Sequence, residues 1–255
     1  MIIIKSPAEI ARMRVAGRYA RQICETLAKQ ICPGLTTQAL DDEAADLMRR
    51  LGVRSAFRGY RGYPGNVCIS VNEEVVHGIP GARRIAVGDI VSLDVGVQAD
   101  GFFGDTAVTV MVGIPDPEVS RLVAVAQEAL AAGIAQAHSG RRLGDVSHAI
   151  EVTAQAAGFS VVRDFVGHGI GRSMHEDPQI PNYGPAGRGP KLQVGMTLAI
   201  EPMINLGGPE VRVLENGWTV VTRDQRPSAH FEHTVVVGEK AAEILTPAGV
   251  LERSS

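Results

Sequence analysis

Residues 87–94 read Val-Gly-Asp-Ile-Val-Ser-Leu-Asp, and residues 194–201 read Val-Gly-Met-Thr-Leu-Ala-Ile-Glu. Each is a Val-Gly step followed by a short apolar strand that ends on a carboxylate; from Asp94 to Glu201 the displacement is 107. A second pattern recurs at nearly the same distance. Gly34 and Gly52 bracket one helical stretch, Gly140 and Gly158 bracket another, and each glycine is displaced by 106 from its counterpart. Two agreeing displacements predict two similar halves, each helix, helix, strands. The chain therefore reads as α+β, a single domain over 1–255 with halves of about 1–113 and 114–255.

Local signals fill in the elements. Ser6-Pro7-Ala8-Glu9 opens a helix, with Ser6 as cap, Pro7 in the first turn and Glu9 completing a capping box. Ile10, Met13, Ala20, Ile23 and Leu27 continue it at helical spacing until Pro33-Gly34. A second helix runs from Thr37 to Leu51, and further helical patterns cover 116–137 and 144–157. Gly88 to Gly113 reads as a hairpin whose strands, 90–97 and 103–112, flank the turn signal Asp100-Gly101. Later strands are expected over 196–204, 218–222 and 233–237.

Composition narrows the function classes. Hydrophobic residues at 45% and charged residues at 21% match a globular enzyme, and aromatics at 4% leave a core of Ala, Val, Ile and Leu. A net charge of -3 offers no basic face for nucleic acid. Cys24, Cys32 and Cys68 are odd in number and form no CxxC pair, which speaks against a disulfide framework or a zinc ribbon. Residues 1–5 lack the apolar length of a signal peptide, and no run approaches the ~20 apolar residues of a membrane helix. The expected setting is reducing and cytoplasmic.

The chemistry centres on Asp94 and Asp105. A turn near residues 99–101 would bring them nearly opposite each other on one hairpin face, with Cβ atoms roughly 5 Å apart. Both lie in apolar sequence, Ser92-Leu93-Asp94-Val95 and Asp105-Thr106-Ala107-Val108. Two like charges buried side by side are costly unless a cation joins them or one is protonated. The alternative, two aspartates on a solvated face, fits that apolar setting poorly. Glu201 closes its strand, Glu232 precedes the apolar run Val235–Val237, and His168 sits among glycines in Gly167-His168-Gly169-Ile170-Gly171. Four carboxylates and one imidazole form a hard, oxygen-rich set suited to two divalent ions of Co, Mn, Fe or Zn. There is no HExxH, Walker loop or GxSxG elbow. The Arg- and Tyr-bearing stretch Phe57–Gly65 reads as a loop lining a pocket in preference to an RNA contact.

The order and spacing of several segments resemble the type I methionine aminopeptidases, whose fold is called pita-bread. These are Asn66–Glu73, His77-Gly78-Ile79-Pro80, Ser92–Gly96, Gly104–Ala107, Gly167–Gly171, Met174–Pro178, Ile200-Glu201-Pro202-Met203, Gly217-Trp218 and Phe231-Glu232-His233-Thr234. The resemblance covers nearly the whole chain and implies a pseudo-two-fold α+β fold around a central antiparallel sheet. It also implies five metal ligands, Asp94, Asp105, His168, Glu201 and Glu232, with Asp105 and Glu232 bridging two ions and a bridging water or hydroxide as nucleophile. By the same resemblance His175 contacts the scissile carbonyl, His77 assists proton transfer at the new amine, and Glu201 shuttles a proton.

The resemblance also implies a methionine pocket, which would fall on Phe57, Tyr60, Tyr63, Cys68, Met174 and Trp218, with His77 at its edge. Met174 stands where the family often has Phe, and Phe57 where it often has Cys. The implied partner is the N-terminal methionine of nascent polypeptides, with a small residue next to it. A transient ribosome contact and a monomeric state complete the expectation, with no specific nucleic acid and no membrane. Two other readings fit the sequence less well. A prolidase or aminopeptidase P carries an extra N-terminal domain, for which no room precedes residue 88. An inactive binding protein of the same fold would have lost ligands that are all present here.

Overall fold

The computed structural model describes residues 1–249; residues 250–255 of the expected second half lie outside the described residues. Helix α1 (Pro7–Gln30) starts on the expected capping box: the Glu9 amide donates to Ser6 Oγ and the Ser6 amide to the Glu9 carboxylate. Helix α2 (Thr37–Leu51) ends on Gly52 at φ 69°, a left-handed position that favours glycine. Helices α3 (Pro117–Gln136) and α4 (Leu143–Ala156) repeat the pair.

The strands that matter for the site are β1 (Cys68–Val71), β2 (Ile90–Ala99), β3 (Phe102–Met111), β4 (Gly167–Gly169), β5 (Glu176–Ile180), β6 (Thr197–Ile200), β7 (Met203–Asn205), β8 (Ser228–His230) and β9 (Glu232–Val236). The principal sheet has nine strands, among them β1-β2-β3-β9-β6-β4-β5 in that spatial order. All its neighbours are antiparallel, and the β3·β9 pair joins the two halves.

The pseudo-two-fold repeat is visible bond by bond. Before α2, the Thr37 amide donates to Arg83 O and the Ile85 amide to Leu35 O; before α4, Leu143 donates to Pro190 O and Leu192 to Arg141 O. After α2, the Val53 amide donates to Met48 O, and after α4 the Phe159 amide donates to Ala154 O. The halves share turn chemistry as well as element order.

Strand register decides which side chains face the helices. Val91, Leu93, Val95 and Val97 pack with Ile23, Leu27 and Leu40, while Leu198 and Ile200 pack with Leu122, Ala126, Val146 and Ile150. Alternation then sends Asp94 and Ala199 to the opposite face. Asp94 pairs with Ala107, Ala107 with Glu232, and Ala199 with both Thr234 and His168. Asp94, Asp105, Glu232 and His168 therefore share the face away from the helices.

Two expectations are refined. Asp94 pairs with Ala107 and Asp105 with Gly96, so the two aspartates are diagonal neighbours and not opposite. The cause is a two-residue turn at Asp100 and Gly101, both at positive φ, which sets the register tighter than a turn centred on 99–101 would. The expected strand 196–204 is two strands broken at Glu201-Pro202, because proline has no amide to continue a ladder. His168, among its glycines, lies on strand β4.

Helix α1 crosses β3 at close range. A Cβ on Gly104 would lie 2.5 Å from Gly17 N and 2.6 Å from Ala16 C, both backbone atoms of α1. Gly104→Ala should cost about 1–3 kcal/mol or more through overpacking. A lowered urea midpoint at unchanged m-value checks this; an unchanged midpoint would mean that helix and strand separate without cost.

Candidate active site

On the face away from the helices the sheet opens into a cavity of about 600 Å³. Its lining includes all five expected ligands, Asp94, Asp105, His168, Glu201 and Glu232. It also includes Phe57, Tyr60, Tyr63, Cys68, Met174, Trp218, His77 and His175. Every expected site residue is thus brought to one cavity, from segments spread between residues 57 and 232.

The carboxylates come from both halves. Asp94 and Asp105 ride on the β2–β3 hairpin, Glu232 begins β9, and Glu201 stands where Pro202 breaks β6 from β7. Asp105, His168 and Glu232 are buried, and one ligand atom from each lies within 4.8 Å of the others. His168 Nε2 is 3.5 Å from Glu201 Oε1 and 3.9 Å from Asp105 Oδ2.

The histidine's tautomer follows from its neighbour. His168 Nδ1 lies 2.8 Å from the Gly169 carbonyl oxygen. A carbonyl only accepts, so Nδ1 carries the proton and Nε2 turns a lone pair toward the carboxylates. Burial holds His168 neutral, with its pKa lowered to about 3.

This arrangement is repulsive unless something positive enters it. Burial, followed by the charges of the other carboxylates, pushes Asp94 and Glu232 well above the ordinary carboxylate range. Burial and then Asp105 do the same for Glu201, and burial raises Asp105. Among the described residues, Asp94 Oδ1, Asp105 Oδ1 and Glu232 Oε1 are buried without a hydrogen-bond partner. Orphaned carboxylate oxygens converging with an imidazole lone pair fit a hard divalent cation. The fixing of Nδ1 by a backbone carbonyl is the usual support of a metal-ligating histidine.

The apolar side of the cavity is aromatic. Tyr63 meets Phe57 edge-on with ring centroids 6.5 Å apart and Trp218 at 5.1 Å. Its hydroxyl is tied to Gly78 O at 2.8 Å and Val67 O at 3.2 Å, so it turns no donor into the slot. Phe57 reaches the slot because residue 96 is glycine: a Cβ there would lie 2.7 Å from the Phe57 ring. Burial, then the charge of Asp94, raises the Cys68 thiol well above its usual value, which removes it as a nucleophile.

His175 stacks on Tyr60 at 5.2 Å and lies 4.2 Å from His168, ring to ring. Burial, followed by the Arg61 charge, lowers its pKa, so it is a neutral donor. His77 stands between Phe165 at 5.6 Å and Trp218 at 6.1 Å, and burial lowers it to about 4.

Other residues at the site were not singled out from the sequence, Arg61 and His230 among them, although Arg61 lies in the stretch 57–65 expected to line a pocket. Arg61 lines the cavity with φ 48°, an uncommon backbone state for a side chain of its size. His230 is buried beside the carboxylates, its Nε2 3.9 Å from Glu201 Oε2. Its signal was its place two residues before Glu232, where alternation favours the same face.

Comparison with known proteins places this geometry. The profile of metallopeptidase family M24 matches residues 11–239. The chain belongs to metallopeptidase family M24 and is a hydrolase with a divalent-metal requirement. Within that family its likeness is to methionine aminopeptidases. It is 48% identical to methionine aminopeptidase 1 of Bacillus subtilis, over 96% of this chain and 99% of that protein. It superposes on the crystal structure of methionine aminopeptidase from Thermotoga maritima with a TM-score of 0.95 and 49% identity, covering 96% of this chain and 99% of the other. A prolidase from Pyrococcus furiosus, 22% identical with a TM-score of 0.80 over 96% of this chain and 66% of that one, shares the pita-bread fold. No helix among the described residues is long and apolar enough to cross a membrane.

The raised carboxylates fix a sign for stability against pH. Without metal, the folded protein retains carboxyl protons that the unfolded chain loses at about pH 4, so this contribution to stability is lost as pH rises through the folded values, about 7 for Asp105. His77, His168, His175 and His230, all with lowered values, act in the opposite sense while the unfolded chain gives up its imidazole protons at about pH 6.5, so the carboxylate decline is read from about pH 7 upward. Urea unfolding in chelator at stepped pH should show the decline, and saturating Mn²⁺ should flatten it. A rise in stability over this window without metal would contradict the carboxylate assignment.

Proposed function

We propose that this chain removes the N-terminal methionine of new polypeptides when the second residue is small. One observation carries the reading: four carboxylates and a fixed imidazole converge at one end of a cavity whose other wall is an apolar, aromatic slot. Asp94, Asp105, His168, Glu201 and Glu232 would hold two divalent ions of Co, Mn, Fe or Zn. Bound there, such ions supply a Lewis acid that polarises the scissile carbonyl and lowers the pKa of attacking water.

The chain's own residues do the rest. Phe57, Tyr60, Tyr63, Cys68, Met174 and Trp218 receive the thioether side chain, and sulfur–aromatic contact favours it. His175, neutral at pH 7, donates to the carbonyl oxygen as negative charge builds on it. Glu201 accepts the proton of the attacking water. His77 stands ready to move a proton at the departing amine. Action at an N-terminal methionine is supported by the relatives, which are methionine aminopeptidases; the preference for a small second residue rests on the resemblance to the type I family alone. We further propose that residues 1–255 act as one catalytic domain with halves at about 1–113 and 114–255, working as a monomer in the cytoplasm with a transient ribosome contact.

Chelated protein should lose turnover of a Met-Ala-Ser peptide and regain it with divalent metal; full activity without metal would end the reading. Asp105→Ala and Glu232→Ala should abolish turnover at saturating metal, and Glu201→Gln should impair it severely.

His175→Ala should lower kcat by about 10²–10³, with a much smaller rise in KM, because its bond strengthens in the transition state. An unchanged kcat with raised KM would mark His175 as a ground-state contact.

A peptide panel tests specificity. Norleucine in place of methionine should be accepted with a loss of about 1–3 kcal/mol or less in kcat/KM terms, while Phe and Lys are rejected. Faster cleavage of Leu-Ala than Met-Ala would indicate a general aminopeptidase, and equal rates for Met-Ala and Met-Arg would remove the small-residue rule.

A further inference from the structure

The segment before α1 touches the cavity wall through an interaction that the proposed chemistry does not use. Lys5 is a buried lysine, and its ammonium meets the Glu176 carboxylate at 2.6 Å with side-chain exposures of 2% and 7%. Glu176 directly follows His175. Its second oxygen accepts the Arg172 amide at 2.8 Å and the Ser173 amide at 3.2 Å. One carboxylate thus closes the loop 172–176 on itself, and Lys5 holds that carboxylate from outside.

The surroundings are shaped for this pair. A Cβ on Gly171 would collide with Lys5 Cε and lie 2.8 Å from Glu176 Oε1, so only glycine lets the lysine stem pass. The backbone around Lys5 is anchored: its amide donates to Gly195 O at 2.9 Å, and Ile4 bridges to Met196, next to β6. On the outer side of the same loop, Arg172 pairs with Glu9 of α1 at 3.0 Å. The loop carrying Met174 and His175 is therefore gripped from two directions by residues 5–9.

Stability alone does not account for a buried ion pair. Desolvating both charges offsets most of their attraction, and well-packed apolar replacements are often neutral or better. What such a pair supplies is a fixed geometry. Glu176 also lines the cavity. Released from Lys5, its carboxylate would be a free acceptor beside the imidazole that must donate to the substrate. The geometry points to Lys5 as a positioning residue that acts through Glu176 to hold His175 in its donating position. This rests on the role given to His175 under the proposed function.

The test is a double-mutant cycle of Lys5→Met and His175→Ala, on the metal-loaded enzyme with a Met-Ala-Ser peptide, together with amide exchange of the 171–176 segment. Lys5→Met should lower kcat about 10- to 100-fold, the scale of a small misplacement of a reacting group, with KM within about threefold. The double variant should be no slower than His175→Ala alone, because both changes remove one function. The Arg172 and Ser173 amides should exchange at least about tenfold faster in Lys5→Met.

A variant with reduced Tm but wild-type kcat, or losses that multiply in the double variant, would overturn the proposal and leave Lys5 a structural residue. Wild-type kcat in His175→Ala would instead overturn the oxyanion role, and the positioning claim with it. Should Lys5→Met fail to fold, Glu176→Gln, which keeps a backbone acceptor and loses the charge, carries the same kcat, KM and exchange outcomes.

Discussion

Mutual repulsion among Asp94, Asp105, Glu201 and Glu232 is the constraint around which this structure is arranged. Left in water, these side chains would separate. Here three strands and the break between β6 and β7 hold them together, three of their oxygens lack any partner among the described residues, and an imidazole lone pair is aimed at them. Such a cluster persists only if the scaffold is stiff enough to hold it while no cation is bound. The stiffness comes from the ladder beneath. Asp105 exchanges backbone bonds with the Thr234 hydroxyl at 3.0 and 2.8 Å, and the Thr106 hydroxyl donates to Glu232 O at 2.9 Å. Hydroxyls stitch the two halves together directly under the carboxylates.

A second constraint is the neutrality of the titratable side chains next to the carboxylates and on the aromatic wall. His77, His175 and His230 are kept neutral by burial, Cys68 is kept as a thiol, and the Tyr63 hydroxyl is spent on carbonyls. The aromatic wall can therefore receive an uncharged side chain without competing for the cation. Phe57 contributes to that wall only because β2 carries Gly96 beneath it. The departure at position 57 is thus paired with glycine at position 96, and the departure at 174 puts a buried thioether in the same cluster.

Much of this was readable in the sequence, for identifiable reasons. The helices were legible because caps and glycine stops are local: Ser6, Gly52 and Gly158 announce their ends within a few residues. The carboxylate cluster was legible because a carboxylate inside an apolar strand is anomalous, and the anomaly recurred at a fixed displacement. What was not legible depends on pairings set at long range. The hairpin register turns on φ at Asp100 and Gly101, and a slip of two residues converts opposite carboxylates into diagonal ones. Strand β4 has three residues, too few for alternation to register, so nothing in the sequence marks His168 as riding on a strand. His230 was hidden because its strand β8 is only three residues long and pairs with β7 in a different sheet.

The antiparallel β3·β9 contact joins the halves about a pseudo-two-fold axis, and that has a historical reading. It has the form of an isologous dimer interface folded into one chain. A single half paired with its own copy across that strand would surround the axis with identical carboxylates, and such a ring has no direction. Fusion allowed the flanking strands to diverge, so that β4 carries His168 where its counterpart β1 carries Cys68 and Ser70. Broken symmetry gives the centre a front and a back, and only a centre with that polarity can distinguish one end of a peptide from the other.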